Sequence, residues 1–117
     1  MPDYDAGIAF YVGKVGFALT ANIDMGGGKR WVMVTPPGGR TGLLLARAID
    51  PAQVAATGRQ TGGRVGFFLH SDDFAADHAR MLAAGVEFQE PPRHEAYGTV
   101  AVWCDPWGNR WDLLQLT

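Results

Sequence analysis

The chain has a single cysteine, Cys104, among 117 residues, so no disulfide can form within it. A lone thiol fits a reducing compartment, and the expected location is cytoplasmic. Charge is also sparse. Only 19% of residues are Asp, Glu, Lys or Arg, and the net charge is −2. The basic residues are scattered, which leaves no electrostatic footprint for nucleic acid. No apolar run approaches the ~18 residues needed to cross a bilayer, and no membrane association is expected. The opening Met1-Pro2-Asp3-Tyr4-Asp5 is acidic, unlike a signal peptide. What is present is ordinary globular material, 47% hydrophobic with four Trp and six Phe, enough for one domain with one substantial core.

The chain matches itself at one fixed offset. Asp3 falls on Asp72, Ala6 on Ala75, Gly16 on Gly85, Pro37 on Pro106, Gly39 on Gly108 and Leu44-Leu45 on Leu113-Leu114. A helix-ending glycine, a turn proline and a Leu-Leu pair rarely coincide by chance. Each copy reads as a helix capped by Asp3 or Asp72, a glycine stop, and then three strands. In the first copy these strands are Phe17–Ile23, Trp31–Thr35 and Gly42–Arg47. In the second they are Val86–Gln89, Thr99–Cys104 and Arg110–Leu116, with Pro91–Gly98 as a loop. The second copy has an additional strand before its helix, Val65–His70. Its counterpart would precede Met1, so module one is read as lacking its first strand, and a late start at an internal methionine is the favoured explanation. The expected fold is α+β, one domain over residues 1–117. Module one spans 1–48, a linker with a short helix from Asp50-Pro51 spans 49–63, and module two spans 64–117.

One hairpin concentrates the chemistry. Trp103-Cys104-Asp105-Pro106-Trp107-Gly108-Asn109-Arg110-Trp111-Asp112 runs strand, turn, strand. Asp112 is the single acid inside the return strand. A carboxylate there faces a cleft or has a partner, because burial alone costs several kcal/mol (roughly 2–7 even for an uncharged polar group). By the two-residue strand period, Arg64, Gly66, Phe68 and His70 share one face, with Val65, Phe67 and Leu69 toward the helix. Arg110, Asp112 and Leu114 share a face of the last strand. If both faces line a cleft, Arg64 and Asp112 pair across it.

Two βαβββ repeats, the Asp-Pro-x-Gly-Asn-x-x-Asp hairpin, and Ala9-Phe10-Tyr11 followed by Val15-Gly16-Phe17 resemble the vicinal oxygen chelate superfamily. That superfamily includes glyoxalases, bleomycin-resistance proteins, extradiol dioxygenases and fosfomycin-resistance proteins. The resemblance implies curved mixed sheets around a cleft. In metal-dependent members the first and last strands of each repeat supply His or Glu ligands. Asp112 stands at one such place, but Leu43 and Arg64 stand at two others. Hard cations need several oxygen or imidazole donors together. No metal cofactor is therefore expected. The alternative is a divalent ion such as Mn, Fe, Ni or Zn, held by Asp112 with His70, His94 or Glu95.

The function implied is metal-independent binding or sequestration of a small, partly aromatic compound by a homodimer, as in bleomycin-resistance relatives. Arg64, Phe68 and Asp112 would form the floor, with His70 nearby and Trp31, Tyr97 and Trp103 as walls. The alternative is a divalent-metal-dependent lyase, isomerase or extradiol-type dioxygenase. His70 is either a ligand contact or a surface histidine. His94 and Glu95 are either an acid–base pair or ordinary loop charges. His78 on its apolar helix face reads as a packing residue and Cys104 as an inert thiol. Gly26-Gly27-Gly28 lacks the Gly-Lys-Ser/Thr ending of a phosphate loop and reads as a hairpin turn.

Overall fold

The computed structural model describes residues 1–117. The chain divides into two compact units at Thr57/Gly58, inside the stretch read as linker. The first unit opens on helix α1 (Tyr4–Ile8), where the Asp3 carboxylate accepts from the Ala6 amide at 3.1 Å. The helix then widens into a π-helical segment, Ala9–Val15, and stops at Gly16, whose φ of 94° favours a residue without a side chain. The segment buries Phe10, Tyr11 and Val15. Strands β1 (Ala18–Asp24), β2 (Arg30–Thr35) and β3 (Leu43–Leu45) follow as an antiparallel sheet in chain order, with a register shift between Leu19 and Ala21. Val32 and Val34 are fully buried on one face of β2, while Trp31 and Leu44 are exposed. Helix α2 (Pro51–Ala56) starts at Asp50, which accepts from the Gln53 amide at 2.8 Å, with Pro51 at the first helical position.

The second unit carries β4 (Phe67–His70), helix α3 (Phe74–Ala83), β5 (Glu87–Phe88), β6 (Arg93–Glu95), β7 (Gly98–Cys104) and β8 (Arg110–Leu116). Its sheet runs β4-β8-β7-β5, with β6 also on β7, and only the β4–β8 pair is parallel. The cap of α3 is Asp73, accepting from Ala76, and not Asp72 as the repeat alignment suggests. Gly85 then stops the helix at φ 89°. The stretch read as a loop between Pro91 and Gly98 forms β6 and pairs with the start of β7.

Two faces of this sheet are distinct. Because residues in register project to the same side, Phe67, Trp111, Trp103 and Phe88 form one row across it. Trp103 and Trp111 stack at 5.0 Å, and Phe67 lies 4.7 Å from Trp111. Helix α3 packs on this side: His78 sits between Phe74 at 5.4 Å and Phe88 at 4.5 Å, the packing role expected of it. The other face carries Asp112.

Candidate functional site

Asp112 lies in the middle of β8, between Phe68 of β4 and Val102 of β7. The next row along contains His70, Leu114, Val100 and Arg93, and the row before it contains Arg110 and Cys104. Val100, Val102 and Leu114 are buried, whereas Phe68 is 60% exposed. The Asp112 Oδ1 atom is buried and accepts no hydrogen bond. Burial raises the carboxyl's pKa; Arg93 opposes the rise, Glu90 adds to it and Arg110 opposes it.

Both neighbouring guanidinium groups are committed elsewhere. Arg93 donates from Nε to Glu90 at 2.9 Å and from Nη1 to Glu95 at 3.0 Å. The Glu90 carboxylate also accepts from the Val102 amide at 3.2 Å, which fixes it to the sheet. Arg110 donates from Nε to Gln89 and from Nη1 to the Gly63 carbonyl, each at 2.9 Å. Asp112 Oδ1 is thus left without a donor, on a face where it lies in register with the exposed ring of Phe68.

The expected Arg64–Asp112 pair does not form. Arg64 precedes β4 in a tight turn, where its amide donates to Thr61 and its carbonyl accepts from the Thr61 hydroxyl, and its side chain is exposed. Gly62 and Gly63, both at positive φ, keep this segment off the sheet, so the strand face counted back to residue 64 does not exist. Trp103, expected as a cleft wall, is fully buried on the helix side. Cys104 pairs with Arg110, so Val102, one residue off, stands beside Asp112.

The remaining candidates are dispersed. His70 shares the sheet face with Asp112 but lines a shallow pocket at the strand ends with Ser71, Asp72, Gln115 and Leu116. Tyr97 is half exposed in the turn before β7, where its carbonyl accepts from the Thr117 amide at 3.0 Å, at the far end of β8 from Arg110. Trp31, 44% exposed, borders a cavity in the first unit. His94 lies 3.3 Å from the Thr99 hydroxyl, and Glu95 accepts from Arg93 at 3.0 Å. The Cys104 thiol donates to Glu87 at 3.2 Å and is pushed up to about 11, by burial first and this carboxylate second.

No three His, Cys, Asp or Glu side chains converge, and the set of Asp112 with His70, His94 or Glu95 is not assembled. Arg93 and Arg110 put positive charge beside Asp112. Reasoning from sequence missed Glu90 and Gln89, the groups that tie these two arginines down. The alternation of Arg93 and Glu95 was the available signal for β6, masked by Pro91-Pro92.

The sequence matches the Glyoxalase/Bleomycin resistance protein/Dioxygenase superfamily over residues 1–113. An uncharacterised protein of Shewanella frigidimarina (strain NCIMB 400) is 51% identical over 116 residues, covering 97% of this chain and 86% of that one. Among solved structures, TnmS3, an antibiotic binding protein from Streptomyces sp. CB03234, superposes with a TM-score of 0.78 at 33% identity, covering 100% of this chain and 89% of that one. A glyoxalase/bleomycin resistance protein from the same Streptomyces strain gives a TM-score of 0.76 at 34% identity, over 98% and 93%. The α+β architecture and these matches agree, and the chain belongs to the Glyoxalase/Bleomycin resistance protein/Dioxygenase superfamily.

Proposed function

We propose that this protein binds and sequesters a small, partly aromatic organic compound without a metal ion. The observation that carries the reading is the Asp112 carboxylate: Oδ1 is buried, lacks a donor, and lies in register with the exposed ring of Phe68. An orphaned buried acceptor costs about 1–3 kcal/mol. A ligand N–H or O–H that reaches it recovers that cost, while the ligand's apolar part covers Phe68. The binding of an antibiotic by TnmS3, a third of whose residues match this chain, is support of the same kind. In this reading the protein works in the cytoplasm, which its single buried free thiol suits. It works as a homodimer, for which Leu19 and Ile23, exposed on the edge strand β1, offer apolar surface.

The test is calorimetric titration of EDTA-treated protein with a panel of aromatic antibiotics and catechols. A hit whose affinity falls about tenfold or more in Asp112→Asn and in Phe68→Ala, and is unchanged by added Mn, Fe, Ni or Zn, supports the reading. Binding or turnover that needs one of those ions would instead favour the lyase, isomerase or dioxygenase alternative.

A further inference from the structure

We propose that the first unit carries a second binding site, selective for a flat aromatic compound bearing a carboxylate. A cavity of about 410 Å³ opens between the start of β2, the end of β3 and the segment leading into α2. This volume lies in the range of small-molecule sites, ~300–1,000 Å³. Its apolar wall is Trp31, Leu44 and Ile49, all substantially exposed. Its polar side is Lys29, Arg30 and Arg47, and no acidic residue lines it.

The three cations are not equivalent. Arg30 is spoken for: Nη1 holds Asp5 at 2.9 Å, and Nε and Nη2 donate to Asn22. Arg47 is exposed and has no acid within ion-pair distance, and its guanidinium packs on two neighbours. It lies 5.8 Å from the Tyr4 ring centroid, on a ring that also receives Arg30 at 5.3 Å. A Cβ at Gly28 would stand 3.5 Å from Arg47 Nη2, so this guanidinium rests against the glycine turn. Lys29, the residue after that turn, likewise has no acidic partner. A planar donor fork packed on an aromatic ring and lacking a counter-charge can take a carboxylate in two parallel hydrogen bonds. Trp31 supplies an apolar surface for the ring.

This site has the opposite chemistry to the Asp112 face. One presents an acceptor to a donor; the other presents donors to an anion. Each lies within its own unit, and neither reading depends on the other.

The experiment is calorimetric titration of the full chain with 2-naphthoate and with its neutral isostere 2-naphthamide. The expected result is saturable binding of 2-naphthoate, at least about tenfold tighter than 2-naphthamide and weakened by salt. Arg47→Gln and Lys29→Gln each lower naphthoate affinity about tenfold, Arg47→Lys loses less, and Arg59→Gln, which removes an exposed charge outside the cavity, changes it less than about twofold. Equal affinity for the acid and the amide, no saturation by naphthoate, or an Arg47→Gln effect no larger than that of Arg59→Gln would overturn the proposal. The acid–amide comparison uses unaltered protein, so it decides even if a variant fails to fold.

Discussion

Replacing Asp112 with Asn should make the protein more stable at neutral pH, and the gain should vanish in acid. Oδ1 is sealed from solvent without a donor, while part of the side chain remains accessible. The cost of the ionised form therefore sits at the low end of the ~1–3 kcal/mol for an unsatisfied buried group, about 1 kcal/mol. For a chain of this size that is a rise of about 4 °C in Tm. The pH dependence has a definite sign. Burial raises the folded-state pKa above the unfolded value of ~3.9, so the folded state holds its proton more tightly. Stability contributed by that proton is complete below the unfolded pKa and is lost as pH rises through the folded pKa. The Asn variant does not titrate, so its advantage is near zero at about pH 3 and complete at neutrality. Urea unfolding followed by circular dichroism at several pH values measures both. A variant less stable than the parent at pH 7, or a difference that does not change with pH, would mean that the buried Oδ1 carries no such cost. A variant that gains stability while losing ligand affinity would carry the signature of a group kept for binding at a structural cost.

Other perturbations have equally direct outcomes. Cys104 should resist thiol reagents at pH 8 in the native protein and react on unfolding, because burial holds the thiol up to about 11. With an unfolded value of ~8.5, stability should decline as pH rises from there toward 11, and Cys104→Ala should remove that decline. Trp103→Ala should cost about 3–5 kcal/mol in denaturant unfolding, since the ring is fully buried and stacked on Trp111. Asp105→Ala should cost about 2–3 kcal/mol, because this carboxylate accepts from the Trp107 amide and from the backbone and side-chain N–H of Asn109. Asp105→Asn, which keeps an acceptor, should lose less.

The elements legible in the sequence are those whose signals are local. Asp3 and Asp50 cap their helices, Gly16 and Gly85 end theirs at positive φ, and Asp105-Pro106 turns the hairpin. Asp112 was conspicuous as an acid alone among apolar residues, and it is the residue around which the site is built. What failed was carrying a face assignment across an irregular segment. The Arg64 assignment extended the two-residue period back through Gly66 into a turn, whereas the strand begins two residues later than expected, at Phe67. Trp103 failed for a simpler reason. Pairing Cys104 with Arg110 fixes parity through the hairpin, and that parity sends residue 103 to the helix side. The Gln89–Arg110 clamp depends on β5 lying against β7, a pairing distant in sequence that no local pattern encodes, whereas the Glu90–Arg93 clamp is local and was hidden by Pro91-Pro92.

In the proposed function the Asp112–Phe68 face receives an aromatic ligand with no ion present. The most direct test of this reading is ligand titration of protein stripped of metal by EDTA, in parallel with Asp112→Asn. Full affinity after stripping, lost in the variant, is the predicted result. Affinity that disappears with the metal and returns with it, or that is indifferent to Asp112, would contradict it.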